Sequence, residues 1–239
     1  MSPQRSLTKR LGYSALRVLC RLVGVTCFGF RCFGRSRMPA TGAVLVCANH
    51  QSFFDPVLVG MTFDRRLNYL ARKTLFDTPV LRRLIEFLDA IPLDREGLGM
   101  QGLKECLRRL RQGEVVLIFP EGTRTRTGSL GPLQPGFTML ARRGEVSILP
   151  VGIDGAFQAW PRHARFPRPS RIRVCVGPAL VPDDIARYDE AQLLAEVERR
   201  MRECFLAARQ SREGQPVRQE TGERMASAGD QPPVGGPAL

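Results

Sequence analysis

The stretch "AVLVCANHQSFFDP", residues 43–56, carries six small or apolar residues directly into Asn49 and His50, with Asp55 close behind. A short valine-rich run closed by polar residues predicts a strand, and apolar side chains at odd and even positions alike predict burial on both faces. His50 is one of two histidines in a chain of 239 residues. It stands at the lip of that strand, and Asp55 comes back within its reach if the chain turns helical after Gln51.

Similar runs recur downstream. "LNYLA" (67–71), "AIPL" (90–93), "EVVLIF" (114–119), "SILPVGI" (147–153) and "RIRVCVG" (171–177) read as further strands. Between them, "DTPVLRRLIEFL" opens with Asp77 or Thr78 as a cap and Pro79 in the first turn. "GLKECLRRLRQG" sets Leu103, Cys106, Leu107 and Leu110 on one stripe and stops at Gly113. A last helix over about 189–209 repeats apolar residues at 194, 197, 201, 205 and 208. Such alternation predicts an α/β fold: a single domain over 36–209, with a mostly parallel, helix-flanked central sheet and its motif-bearing core at 43–157. A chain of 239 residues with 43% hydrophobic content suffices for one such core and not for a second full domain. Residues 210–239, rich in Gly, Pro, Gln and Ser, read as a disordered polar tail.

Sheets of this kind bind ligands beyond the carboxyl ends of their strands. "AVLVCA" runs into Asn49 and His50, "AIPL" into Asp94 and Arg95, and "EVVLIF" into Pro120, Glu121, Gly122, Thr123 and Arg124. If those strands are neighbours, the three polar ends converge. A histidine can take a proton near neutral pH, and a carboxylate on its other ring nitrogen fixes the tautomer and stabilises the imidazolium. Arg95 and Arg124 are fixed cations suited to bidentate phosphate recognition. Gly122 lets backbone approach a ligand closely. The pattern reads as a base beside an anion cradle. Cys47 and Ser52 are poorer nucleophiles, one inside an apolar run and the other without a glycine-flanked elbow. His163 has no acid near it in sequence and reads as a loop residue.

"NHQSFFD", "AIPLDR", "FPEGTR" and "LPVGI", in that order across about residues 40–160, resemble the four blocks of the glycerolipid acyltransferase family, which includes lysophosphatidic acid acyltransferases. The resemblance implies transfer of a fatty acyl group from a thioester of coenzyme A or acyl carrier protein to a hydroxyl of lysophosphatidate in phospholipid biosynthesis. His50 would be the general base and Asp55 its orienting partner. Arg95 and Arg124 would bind the acceptor phosphate, with Glu121, Gly122 and Thr123 shaping the site. Lys73, in "ARKTLF", matches a basic position common in the family. Leu149, Pro150 and Val151 would line the acyl or acceptor pocket. The resemblance further implies direct transfer without a covalent acyl-enzyme, no metal or other cofactor beyond the thioester co-substrate, and a place on the cytoplasmic face of the inner (plasma) membrane. One departure stands out: where the family often has Phe-Lys-x-Gly, this chain has "LQPG", with Gln134 at the lysine's place, and Arg126, Arg142 and Arg143 are the nearby basic residues. Two other functional classes fit parts of the chain: a lipid ester or thioester hydrolase using the same His-Asp pair, and a non-enzymatic basic protein.

The formal charge is +13, from 36 basic and 23 acidic residues, and only three of the basic residues are lysines. Such a surface attracts phosphates of any kind. One tryptophan and three tyrosines are too few for base stacking, which argues against nucleic acid. Seven cysteines without a C-x-x-C pair read as free thiols in a reducing compartment, and the histidines are too few and too scattered for a structural zinc site. The N-terminal segment, residues 1–35, reads as an amphipathic helix lying in a membrane interface. Its longest uncharged run, residues 22–30, is far shorter than the roughly 20 residues of a spanning helix. Arg10, Arg17 and Arg21 fall within about 40° of one another on a helical wheel, a stripe expected to sit among lipid phosphates.

Overall fold

The computed structural model describes residues 7–72, 77, 82–83, 88, 90–93 and 100–215. Helix α1 (Leu7–Phe28) leads into β1 (Arg31–Phe33), β2 (Val44–Ala48), α2 (Asp55–Thr62), β3 (Leu67–Asn68), β4 (Leu70–Arg72), β5 (Ile91–Leu93), α3 (Met100–Arg111) and β6 (Val115–Ile118). Then come α4 (Gly136–Gly144), β7 (Ser147–Asp154), the single turn α5 (Ala156–Ala159), β8 (Arg173–Val176), α6 (Pro182–Arg187) and α7 (Glu190–Arg212). Six strands form one sheet in the order β1-β8-β7-β2-β6-β3. Every pairing in it is parallel except β7 with β8, so β8 and β1 run against the other four.

The alternation of β2 explains the layering. Val44, Val46 and Ala48 face one core with Leu58, Val59, Met61 and Phe63 from α2 and its exit. Leu45 and Cys47 face the other, with Cys106 and Leu110 of α3, Phe137 and Leu140 of α4, and Val197, Met201 and Phe205 of α7. Helices on both faces of one sheet are the predicted α/β architecture, and each layer buries apolar side chains against it. Helix α7 opens with a reciprocal cap, Asp189 accepting from Gln192 N–H while the Gln192 side chain accepts from Asp189 N–H, and runs to Arg212, three residues into the segment read as tail. It lies close against β7: a side chain at Gly152 would meet the backbone of Cys204 at 2.2 Å.

Two expectations about strands are corrected. "LNYLA" is broken at Tyr69 into β3, in the main sheet, and β4, which pairs with β5 in a separate two-stranded sheet. The strand of "AIPL" is therefore no neighbour of β2. Ile91 is buried in the α3 layer, while Ala90 before it packs against the α2 layer. Most of the helix expected at "DTPVLRRLIEFL", together with Lys73, Arg95 and the side chain of Arg10, lies outside the described residues.

The N-terminal helix carries a further correction. Arg17 donates to the carbonyls of Phe63 (3.0 Å) and Asp64 (2.7 Å), and Arg21 to those of Met61 and Thr62. These are carbonyls at the carboxyl end of α2 and just past it, where the helix dipole favours a cation. Arg17 and Arg21 thus face the domain, along with Tyr13 and the close approach of Gly24 to Met61. What points outward is apolar: Leu11, Val18, Leu19, Leu22, Val23 and Val25 are all exposed. Leu11–Phe28 is long and apolar enough to cross a membrane by length and composition, despite Arg17 and Arg21 within it. Of the seven cysteines, all free, Cys47, Cys106, Cys175 and Cys204 are buried, and Cys27 is exposed.

Candidate active site

Strand β2 ends at Ala48, and Asn49 extends its ladder by side chain instead of backbone. Its Nδ2 donates to Ile153 O (2.9 Å) and its Oδ1 accepts from Ile153 N–H (2.7 Å), pinning the strand exit to β7. His50 is thereby held at the carboxyl edge of the sheet. Three donors then converge on one oxygen of Asp55: the ring Nδ1 of His50 (2.7 Å), Gln51 N–H (2.5 Å) and Ser52 N–H (2.6 Å). Asp55 is the first residue of α2, with proline following it, and its carboxylate turns back to fold the loop that precedes it. It is fully buried, and burial raises its carboxyl above the usual range even though His50 and the two amides pull it down. A carboxylate on Nδ1 leaves Nε2 as the free, proton-accepting nitrogen of the ring. The ring itself is stacked on Phe119, centroids 4.0 Å apart.

The "FPEGTR" turn is stitched to this loop from the neighbouring strand β6. His50 N–H donates to Glu121 Oε1 (2.7 Å), and Thr125 N–H donates to His50 O (2.8 Å). The other oxygen of Glu121 accepts from Gly131 N–H at 2.8 Å. Burial pushes the Glu121 carboxyl up to about 7, against the lowering effect of those two amides. Gly122 closes the turn at φ +70°, with its N–H on Phe119 O at 3.0 Å, a left-handed conformation that favours glycine. Thr123 is exposed beside it. Arg124 lies over the ring of Phe53, its guanidinium carbon 3.5 Å from the centroid. Phe53 in turn packs on Trp160 (5.1 Å), which packs on Phe54 (5.0 Å), which meets Phe28 at the end of α1 (5.1 Å).

His50, Asp55, Glu121, Gly122, Thr123 and Arg124 are thus brought together at one edge, as adjacency of β2 and β6 requires. Other expectations do not survive. Leu149, Pro150 and Val151 lie in the middle of β7, paired with Val46, Cys47 and Ala48 and fully buried, so they are core and not pocket lining. Arg142 and Arg143 occupy the last turn of α4, at the opposite edge of the sheet where β7 begins, and Arg142 is bonded to Tyr188 O. They cannot replace the missing lysine. Gln134 does sit at the site, because its N–H donates to Pro120 O (2.8 Å) and its side chain passes under Gly122. Ser52 is committed to structure, donating to Trp160 O (2.8 Å) and accepting from Phe54 N–H (3.1 Å). Burial raises the Cys47 thiol far above its ordinary value. His163 is exposed, its nearest ring Phe157. Among the described residues no three His, Cys, Asp or Glu side chains are grouped to hold a metal ion.

Several contributors escaped the sequence reading: Phe53 beneath Arg124, Phe119 against His50, and Gln51, whose amide donates to Gly128 O (2.6 Å) and accepts from Phe157 N–H (3.3 Å). Their partners are some 70 to 106 positions away in the chain, so no local pattern announces them.

Comparison with known proteins bears on the family and the fold. The chain is 26% identical over 183 residues to a 1-acyl-sn-glycerol-3-phosphate acyltransferase of Bacillus subtilis, covering 76% of this chain and 87% of that one. It is 32% identical over 154 residues to a protein of the same description from Pseudomonas aeruginosa, covering 62% of this chain and 57% of that one, less than two thirds of its length. The crystal structure of the 1-acyl-sn-glycerophosphate (LPA) acyltransferase, PlsC, from Thermotoga maritima shares the fold, with a TM-score of 0.72 at 22% identity over 81% of this chain and 78% of that one. The Acyltransferase family model matches residues 29–154, more than half of the chain, and this protein belongs to that family of O-acyl-transferring enzymes.

Proposed function

We propose that the protein transfers a fatty acyl group from a thioester of coenzyme A or acyl carrier protein to the free hydroxyl of lysophosphatidate. The observation that carries this reading is the pair His50 Nδ1 to Asp55 Oδ2 at 2.7 Å, set beside Arg124 by the bond from Thr125 N–H to His50 O. Nε2 of His50 takes the proton of the acceptor hydroxyl as its oxygen bonds to the thioester carbonyl carbon. The carbon–sulfur bond then breaks, and the thiolate leaves with that proton from the imidazolium. Asp55 holds the ring's tautomer and stabilises its charge in between. Arg124, and Arg95 from beyond the described residues, hold the acceptor phosphate, which places the hydroxyl rather than water at the base. Lys73 is assigned to the same anion cradle, and the step uses no cofactor besides the thioester.

The exposed apolar face of α1 supports a membrane-associated enzyme, with that face in the acyl boundary and Arg17 and Arg21 locked onto the domain. We place it on the cytoplasmic face of the inner membrane, where thioester donors are made. Purified protein assayed with both donors against a panel of lysolipids and alcohols tests the reading. Transfer to lysophosphatidate is expected to exceed release of free fatty acid, and the reverse ratio would make the enzyme a hydrolase.

A further inference from the structure

A cavity of about 460 Å³, distinct from the site above, opens where the end of α1, the start of β1, the start of β8 and the end of α7 meet. Arg31, Arg171, Arg173 and Arg212 line it, together with Val25 and Ser211. Four arginines in one cavity repel each other unless anions intervene. Arg212 is matched by Asp154, with which it is ion-paired, and Glu213 lies 3.5 Å from it. No carboxylate among the described residues is within ion-pair distance of Arg31 or Arg171, both exposed. Arg173 is only 7% exposed, with Nη1 on the carbonyls of Gly29 (2.6 Å) and Ile172 (3.0 Å) and Nε without a hydrogen-bond partner among the described residues. Burial, and then the charges of Arg31, Arg171 and Arg212, make it a weaker base than an ordinary arginine. A buried cation with three like neighbours is unfavourable in isolation and becomes favourable with a bound anion.

Topology places this cavity on the same edge of the sheet as His50. Asp154, at the carboxyl end of β7, is in register with Arg173 at the start of β8, and Arg173 with Arg31 at the start of β1. Strands about 4.8 Å apart put Arg173 and Arg31 roughly 10–15 Å to the side of β2, where His50 emerges. Val25, which lines the cavity, belongs with Leu11, Val18 and Leu22 to one outward arc of α1, about 60° wide on the helical wheel. The mouth of the cationic cavity therefore borders the apolar stripe.

We infer that this cavity binds the phosphate of an anionic phospholipid headgroup, with the lipid's acyl chains lying against the stripe of α1, and that it orients the active-site edge toward the bilayer. The adjacency of Val25 to the arginines favours a lipid over a soluble phosphate, since only a lipid satisfies both surfaces at once. This goes beyond the acyl-transfer step and rests on the reading that α1 contacts the membrane.

The test is flotation of the full chain with vesicles of phosphatidylcholine alone or mixed with phosphatidylglycerol. Arg31 and Arg171 are exposed, so R31A/R171A leaves the fold intact. It is expected to lose the extra affinity for the anionic vesicles, about tenfold or more for two near-surface arginines, while keeping wild-type binding to phosphatidylcholine and wild-type activity on detergent-dispersed substrate. The control R108A/R187A removes equal charge elsewhere and is expected to lose little. Undiminished anionic binding in R31A/R171A, or an equal loss in the control, overturns the inference. Thermal stabilisation by inorganic phosphate that vanishes in R31A/R171A, with vesicle binding unchanged, reassigns the cavity to a free phosphate and also overturns it. A wild type that does not bind phosphatidylcholine overturns the α1 reading and the inference with it; wild-type binding to phosphatidylcholine with no anionic increment overturns the inference and leaves the α1 reading standing.

Discussion

Glu121 holds the main chain of His50: its Oε1 accepts the His50 N–H at 2.7 Å while its Oε2 accepts Gly131 N–H at 2.8 Å. The acid of the third block is thus the clamp that sets the height of the base above the sheet. Glutamine can accept through one oxygen only and would turn an NH2 group against the second amide. E121Q is expected to fold and to lose activity by about a hundredfold, on the scale of leaving a buried donor unpaired near the reacting group. Unchanged kcat/KM in a folded E121Q protein would remove the clamp.

The same carboxyl gives a pH signature. Its folded value, about 7, lies above the unfolded value near 4.5, so the folded state binds the extra proton between those limits. Stability from this group is fully present below about pH 4.5 and is lost as pH rises through 7. Denaturant midpoints of wild type and E121Q, compared from pH 4.5 to pH 8, should diverge with the wild type falling relative to the variant.

Asp55 has two tasks on one oxygen, orienting His50 and folding the loop through Gln51 and Ser52. H50A is expected to abolish transfer with the fold retained. D55N should lower kcat by about 10³- to 10⁴-fold, and also cost roughly 1–3 kcal/mol of stability because a buried amide replaces the acceptor. Steady-state kinetics with calorimetry separates the two effects.

Phe53 sits under Arg124, 3.5 Å from ring centroid to guanidinium carbon. F53A should raise KM for a phosphorylated acceptor by about 3- to 30-fold, the range of a cation–π contact, with kcat less affected. Recovery in F53W, and indifference of an unphosphorylated acceptor to either change, would show that Phe53 acts through Arg124.

Gly152 leaves no space for a side chain between β7 and α7. G152A is expected to destabilise by about 1–3 kcal/mol or more, read as a lowered denaturation midpoint, because the clash is with backbone and cannot relax by a rotamer change.

The α/β class was legible because each strand is locally apolar and each helix has its own stripe and stop, down to Gly113 after α3 at φ +74°. The convergence of His50, Asp55, Glu121 and Arg124 was legible too, since β2 and β6 are neighbours and both end in polar residues. Local pattern did not reveal that Tyr69 divides one apolar run between two sheets, since pairing is a property of two segments and not one.

Residue type and spacing alone settled β2, β6, β7, α3, α7 and the pair of His50 with Asp55, because those depend on patterns and contacts a few residues apart. Tertiary structure decided what each charge does. Arg17 and Arg21 of α1 face inward because the free carbonyls at the end of α2 lie there, some 40 positions away in the chain. Leu149 and Val151 are core because β7 is flanked by β2 and β8 and covered on both faces. Glu121 became a clamp, and Arg31 came to lie beside Arg173, through hydrogen bonds and strand pairings that close only when the whole sheet is assembled.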